Sequence, residues 1–164
     1  MKMKVLGPET YKLTFDAKGY TVSCQKGTAK FSGLACSKLP KLYIISAKNS
    51  ILYVGITRQR MSARLRMGFS AAGRGGYYGY AWRHKFREAL LRIWAHERVS
   101  NENSLRDIET VEAEVVFLAR KISGAWPLGQ TEIHFHRSTE AHREVAREIW
   151  NELSTRSRDS KSQD

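Results

Sequence analysis

Short runs of alternating apolar and polar residues open the chain and predict a β-rich N-terminus. Three such runs lie between Tyr11 and Ala35, and the segments DAKG and QKGT that separate them have the composition of turns. We expect two or three small antiparallel strands here, ending before Pro40. Two further apolar runs follow at 42–46 and 51–57, joined by the polar turn AKNS. Because these two runs are continuous, they predict strands that are buried on both faces in the centre of a sheet.

Helical patterns are more frequent after this hairpin. Ser62 is placed to cap a short helix that Gly68 ends, and a loop with five glycines between 68 and 79 follows. Apolar residues at helical spacing predict a helix over 81–96. The run VEAEVVFLA at 111–119 predicts a third central strand, and 138–153 predicts a helix with a Ser or Thr cap.

These elements predict an α+β fold in which helices flank a central three-stranded antiparallel sheet. We expect a β-rich extension at 1–40, a main module at 41–153 and a disordered tail at 154–164, since the tail contains no apolar residue. No run approaches the roughly 18 apolar residues that cross a bilayer, and the N-terminus lacks the features of a secretion signal. With two cysteines, Cys24 and Cys36, the chain fits a reducing compartment, so we expect a cytoplasmic protein without membrane contact.

The charge is strongly positive and unevenly distributed. The chain has a formal net charge of +12, of which residues 1–57 carry +7, residues 58–98 carry +8 and residues 99–164 carry −3. This distribution predicts one face that gathers the phosphates of a polyanion. The alternative explanation of this net charge is a ribosome-like protein, or a protein that is merely soluble and basic.

Two tyrosines and an arginine form an ordered set around the central hairpin. The residues are LYI at 42–44, YVG at 53–55 and Arg64 on the following helix. In an antiparallel hairpin centred on AKNS, Tyr43 and Tyr53 fall nearly opposite each other, so that their hydroxyl groups can converge. The set resembles the GIY-YIG nuclease family, although Lys41 replaces the glycine of the first motif and Leu42 its isoleucine. A pair of structural tyrosines in a hairpin is the alternative.

The resemblance covers residues 40–153 and implies an endonuclease that hydrolyses DNA phosphodiester bonds with Mg²⁺ or Mn²⁺. It implies that Tyr43 is a general base or positions the water, that Tyr53 contacts the phosphate, and that Arg64 stabilises the charge of the transition state. The family typically has a histidine or tyrosine where this chain has Gly68. Either Tyr80 or His84, after the glycine-rich loop, is placed to reach back and supply that group.

The resemblance also implies one metal-binding glutamate on a helix after the third strand, with apolar residues about three and four positions later. Glu132 fits best, because Phe135 and His136 take those two positions and Pro127 can open a helix there, and Glu144 is the reserve. Read as a strand, the same segment places Glu132, His134 and His136 on one face, which suits zinc or another transition metal. An exposed polar stripe gives the same pattern.

The glycine-rich loop and its surroundings mix aromatic and basic residues, a pattern typical of nucleic-acid binding, although a flexible connector gives it too. The expected contacts with nucleic acid are Arg58, Arg60, Arg66, Arg74, Tyr80 and Arg83.

No separate DNA-binding domain follows the module, which favours a small restriction-type or repair-type endonuclease acting on double-stranded DNA. Cutting both strands would use two active sites, hence a homodimer. The alternatives are a non-catalytic nucleic-acid-binding module on the same fold and an RNA-binding accessory protein.

Overall fold

The computed structural model describes residues 2–76, 79–98, 102–130 and 132–159. These residues form an α+β fold with one five-stranded antiparallel sheet and three α-helices. The strands are β1 Val5–Asp16, β2 Gly19–Cys24, β3 Lys41–Ala47, β4 Ser50–Thr57 and β5 Glu88–His96. The helices are α1 Met61–Ser70, α2 Glu102–Ser123 and α3 Glu140–Asp159, and a 3-10 helix at Ala81–Lys85 precedes β5.

The strand order is β2-β1-β5-β3-β4, with β4 and β2 at the two edges. The predicted hairpin is confirmed as β3 and β4, and β3 is buried along most of its length, as its continuous apolar run indicates. The N-terminal strands β1 and β2 are also confirmed as a hairpin. They do not form a sheet of their own, because β1 pairs with β5, and the central sheet therefore has five strands where three were predicted.

Alternate residues of β3 face two separate hydrophobic cores. Tyr43 and Ile45 pack with α1 and with the segment around Trp82. Leu42 and Ile44 face the opposite way and pack against α2 and α3. The sheet is thus covered on both faces, which explains why β3 is apolar at successive positions.

Two predicted elements have the wrong secondary structure. Residues 81–96 were expected to form a helix, but they form a 3-10 helix followed by β5. A strand buried on both faces, as β5 is, places apolar residues at successive positions, and these also satisfy a helical period. Residues 111–119 were expected to form a strand and instead lie within α2. The repeated valines suggested a strand, but Ile108, Val111 and Val115 form one buried helical stripe.

Several element boundaries also differ from the prediction. Ser62 does not cap α1, which begins at Met61, and Gly68 lies inside this helix. No helix begins at Pro127; the described part of 124–139 is a connector of turns and extended chain. Helix α3 extends to Asp159, so the first residues of the predicted disordered tail are helical, while 160–164 lie outside the described residues.

The connector between α2 and α3 covers the outer edge of β4. The backbone N–H of Gly129 donates to the Leu52 carbonyl oxygen at 2.6 Å, and the Gln130 side-chain oxygen accepts from the Val54 N–H at 3.2 Å. These bonds occupy part of an edge that would otherwise be unpaired. They also bring the connector beside the hairpin that carries the two tyrosines. Within the described ranges, no helix has the length and apolar character needed to span a bilayer.

Candidate active site

The side chains of Tyr43, Tyr80 and Arg64 meet in one hydrogen-bonded cluster. The hydroxyl oxygens of Tyr43 and Tyr80 are 2.7 Å apart, and Arg64 Nε donates to the Tyr43 hydroxyl oxygen at 3.0 Å. The Arg64 guanidinium carbon lies 6.0 Å from the centroid of the Tyr43 ring and 5.8 Å from that of Tyr80. A strand, a loop and a helix therefore converge to hold one guanidinium group in place.

The hairpin register explains how Tyr43 fits into this cluster. Tyr43 pairs with Gly55, and Tyr53 pairs with Ile45, so the two tyrosines, expected to be nearly opposite, are diagonal neighbours. Their ring centroids are 5.9 Å apart. A Cβ atom on Gly55 would lie 2.7 Å from the Tyr43 hydroxyl oxygen. Glycine at this position therefore makes room for the Tyr43 side chain to cross β4.

Gly68 has the same role for Tyr80. A Cβ atom on Gly68 would overlap the Tyr80 ring, and the Tyr80 N–H donates to the Gly68 carbonyl oxygen at 3.0 Å. Of the two residues expected to reach back to this place, Tyr80 is the one that lies against Gly68. His84 lies exposed on the following 3-10 helix and takes no part in the described contacts of the cluster.

Tyr43 is chemically a phenol held away from solvent. It is fully buried, and burial together with the neighbouring Tyr80 and Tyr53 phenols raises its pKa well above the ordinary value of 10.0. The Arg64 charge acts in the opposite direction without cancelling this shift. Tyr43 therefore keeps its proton at neutral pH, whereas Tyr53 is only partly buried and borders the surface.

A buried carboxyl group on α2 lies within the electrostatic reach of Arg64. Glu112 is 9% exposed, and burial followed by the negative charge of Glu109 raises its pKa to about 8. The charges of His134 and Arg64 act to lower it. Among the described residues, no hydrogen bond contributes to this pKa. Glu112 is thus a desolvated acid whose pKa the Arg64 charge acts to lower.

Sequence reasoning missed Glu112 because 111–119 was assigned to a strand. The signal was present: Val115 and Val116 stand three and four positions after Glu112, which is the spacing sought for the metal-binding glutamate. Both valines are buried against the sheet and hold this part of α2 in place. Assigning the segment to a helix would have made Glu112 the first choice.

Glu132 does not meet the requirement of a helix for which it was chosen. It lies in the connector, since the helix expected from Pro127 does not form, and its side chain is 78% exposed. Glu144 is exposed on α3. Neither residue acts on the pKa of Glu112, whereas Glu109 does.

A network of histidines and carboxylates surrounds the connector. Glu109 Oε1 lies 3.0 Å from His134 Nδ1, Glu109 Oε2 lies 2.5 Å from His136 Nε2, and Glu132 Oε1 lies 2.9 Å from His134 Nε2. At these distances the histidine ring nitrogens and the carboxylate oxygens hydrogen-bond to each other. No three His, Cys, Asp or Glu side chains in the described ranges form a group able to hold a metal ion. The alternative in which Glu132, His134 and His136 share one face of a strand does not apply, because these residues form no strand.

The predicted nucleic-acid contacts fall into two groups. Arg60, Arg66 and Arg74 are exposed, and Arg58 lies 3.5 Å from Glu102 in a surface ion pair. The other two are less accessible. Arg83 is partly buried and its Nη1 donates to the Tyr80 carbonyl oxygen at 3.0 Å, and Tyr80 is only 1% exposed. The expectation that Tyr80 contacts nucleic acid is therefore wrong, since its ring belongs to the core.

Comparison with protein-family models, curated proteins and solved structures finds no match. The chemistry of the site is therefore inferred from its own residues. They include a guanidinium group held by a hydrogen bond, a partly buried phenol against the rings of the cluster, and a desolvated carboxyl group that the Arg64 charge reaches. A guanidinium group binds anionic oxygens, and a carboxylate binds cations.

Proposed function

We propose that this protein is a divalent-metal-dependent endonuclease of the GIY-YIG type that hydrolyses phosphodiester bonds in double-stranded DNA. The observation that carries the proposal is the position of Arg64, whose Nε donates to the Tyr43 hydroxyl group and whose charge acts on the pKa of Glu112. A preorganised cation of this kind stabilises the charge that develops on a phosphate in the transition state.

The order of elements supports the same proposal. A hairpin is followed by the helix that carries Arg64, then by strand β5 and then by helix α2. The sequence resemblance implies a glutamate on the helix that follows the third strand of the module, and counting from β3 that strand is β5. Glu112 on α2 meets both this requirement and the spacing of apolar residues, so it replaces Glu132 in our proposal.

The residues of the cluster have different tasks in this proposal. Tyr53, which is partly accessible, contacts the scissile phosphate, and Arg64 binds its non-bridging oxygens. Tyr43 positions Arg64 by accepting its Nε–H, and does not itself remove a proton from water, because it is fully buried and its pKa is raised. This role differs from the general base that the resemblance implies.

Glu112 is the residue that would hold Mg²⁺ or Mn²⁺. A buried carboxyl group with a raised pKa favours a bound cation, because the positive charge offsets the cost of ionising the group away from water. When bound, the metal ion supplies Lewis-acid stabilisation of the phosphate and an activated water. A single protein carboxylate suits Mg²⁺, which commonly keeps several waters and binds the substrate phosphate as well.

The test is incubation of the purified protein with supercoiled plasmid DNA in Mg²⁺ or Mn²⁺, with EDTA in a parallel sample. We expect nicked or linear plasmid with the metal ion and intact plasmid with EDTA. Variant Glu144→Gln, changed at an exposed position on α3, is the control and should cleave at the parent rate. Intact plasmid under every metal condition would contradict the proposal.

A non-catalytic nucleic-acid-binding module on the same fold is the second candidate. It is favoured by the complete burial of Tyr43, which removes one catalytic group from the reach of a substrate. The same protein sample distinguishes the two, because a binding module shifts labelled DNA in a gel but leaves plasmid intact. The order of the products shows whether two copies act together: linear plasmid formed without a nicked intermediate indicates two active sites, as in a homodimer, and nicked plasmid that accumulates first indicates single-strand cuts.

A further inference from the structure

A groove of about 800 Å³ lies between the C-terminal half of α3 and the face of the sheet that α2 and α3 cover. Residues from β1, β3, β4 and β5 line it, together with the hairpin turn at 48–49. This volume is within the range of about 300–1,000 Å³ that is typical of pockets for small molecules. The described lining residues do not include Tyr43, Tyr80 or Arg64, so the groove is separate from the candidate active site.

Apolar side chains form one wall of this groove. Ile51 and Leu90 come from the sheet, and Trp150 and Leu153 come from α3. Leu90 is 38% exposed and Trp150 is partly buried, so both keep apolar surface in contact with solvent. A flat ring that enters the groove can pack against these surfaces and remove them from water.

Three exposed cations of the lining lie at the same end of the groove. Lys48 is on the hairpin turn, and Lys85 and Arg87 lie just before β5. Ser46 pairs with Leu90, so the end of β3 and the start of β5 meet and bring the three cations to one end of the sheet. In the described part of the chain, none of the three takes part in an ion pair or a side-chain hydrogen bond. This end of the groove is therefore complementary to phosphate groups.

The other charged residues of the lining are engaged within the protein. Lys12 Nζ lies 2.6 Å from Glu88 Oε2 in an ion pair. Arg92 is 7% exposed, and its Nη1 donates to Ser46 Oγ at 3.3 Å. Among the described lining residues, the three exposed cations are thus the ones that remain for an external anion.

We infer that this groove binds a nucleoside phosphate, whose base packs against Leu90 and Trp150 and whose phosphates contact the three exposed cations. The apolar wall and the cationic end match the two parts of such a ligand, a flat aromatic base and a charged chain of phosphates. Polar side chains that can hydrogen-bond to the sugar and to the edges of the base also line the groove: Asn49, Ser50 and Ser154. The inference goes beyond the proposed function, since it concerns a separate site and involves neither DNA nor a metal ion.

The test is isothermal titration calorimetry of the full-length protein with ADP, in EDTA and at about 0.1 M salt, where surface charges are partly screened. Adenosine and inorganic pyrophosphate are titrated separately, because each represents one part of ADP. Lys48→Gln with Lys85→Gln removes two cations from the groove, and Lys26→Gln with Lys30→Gln removes two exposed cations outside its lining. Trp150→Leu removes the ring and keeps an apolar side chain. Equal thermal melting of the parent and each variant shows that the variants are folded.

We expect the parent to bind one ADP per chain, more tightly than it binds adenosine or pyrophosphate. The groove double variant should lose at least about tenfold in ADP affinity, because it loses two charge-assisted contacts with phosphate, and the control double variant should bind as the parent does. Trp150→Leu should weaken ADP binding by about threefold or more without changing pyrophosphate binding, because the base loses the ring against which it packs.

Absence of ADP binding by the parent would overturn the inference. Equal losses in the groove and control double variants would also overturn it, since the lysines would then act only through the overall charge. Equal affinities of the parent for ADP and pyrophosphate would overturn it as well, because the apolar wall would then take no part in binding. None of these results depends on whether the protein cleaves DNA, so the endonuclease proposal is tested separately.

Discussion

Replacing Glu112 by glutamine should raise the free energy of unfolding of the metal-free protein at neutral pH. The folded protein holds the Glu112 proton up to a pKa of about 8, whereas the ordinary value is 4.5. Between these two values the unfolded chain has lost the proton and the folded chain keeps it. The stability of the parent therefore falls as pH rises through this window, with no effect below it and no further loss above it.

The size of the effect follows from the width of that window. Each pH unit corresponds to about 1.36 kcal/mol, so the penalty approaches about 5 kcal/mol at pH 8 as an upper limit. Glutamine keeps the shape of the side chain and never ionises. The difference in unfolding free energy between Glu112→Gln and the parent should therefore grow from near zero at pH 4.5 to about 2–5 kcal/mol at pH 8.

Urea unfolding followed by tryptophan fluorescence in EDTA, from pH 4.5 to 8.5, measures this difference. The control is Glu144→Gln, whose exposed position predicts the same pH dependence as the parent. Saturating Mn²⁺ should stabilise the parent and leave Glu112→Gln unchanged, because only the parent retains the carboxylate ligand. Parallel pH curves for the parent and Glu112→Gln would refute the reasoning, since the carboxyl group would then not be desolvated in the folded state.

Four other outcomes are expected. Arg64→Ala should slow plasmid cleavage by about 10²–10³ while duplex affinity in anisotropy changes little, and parent-like cleavage by the folded variant would contradict the role of this guanidinium group. Gly68→Ala should destabilise the protein by about 1–3 kcal/mol in urea unfolding, because the new methyl group overlaps the Tyr80 ring, and unchanged stability would contradict that packing. Tyr80→Phe should cost about 1 kcal/mol, measured in the same way, by removing the hydroxyl group 2.7 Å from that of Tyr43; a neutral effect would mean that this bond is not formed. Duplex affinity of the parent should fall with salt at a log–log slope near −4 to −5 if about five phosphates are neutralised, and an affinity independent of salt would exclude an electrostatic interface.

The hairpin was predictable from sequence because its information is local. Two continuous apolar runs and a polar turn specify β3 and β4. The sequence also gives the number of residues between Tyr43 and Arg64. The position of β5 is not local. Strand β5 pairs with β1 on one side and with β3 on the other, and this pairing cannot be predicted from any short segment of the sequence. An apolar run buried on both faces satisfies helix and strand periods equally, so the third strand was placed in the wrong segment.

The choice of the carboxylate depends on the secondary structure of 111–119. A strand over this segment leaves Glu112 outside any helix, although its spacing to Val115 and Val116 is visible in the sequence. The contact between Tyr80 and Gly68 is different, because it depends on a loop folding back over α1. The sequence indicated that a residue after the glycine-rich loop would reach back to Gly68. Only the packing distinguishes Tyr80 from His84.

The rate of plasmid cleavage by two matched variants, Glu112→Gln and Glu132→Gln, tests the central claim most directly. Both changes replace a carboxylate by an amide of the same size, one at a buried position on α2 and the other in the exposed connector. With Mg²⁺ or Mn²⁺ present, we expect Glu132→Gln to cleave at close to the parent rate and Glu112→Gln to be inactive while still binding DNA. Cleavage by Glu112→Gln at the parent rate, or loss of cleavage in Glu132→Gln alone, would contradict the assignment of the metal site to α2.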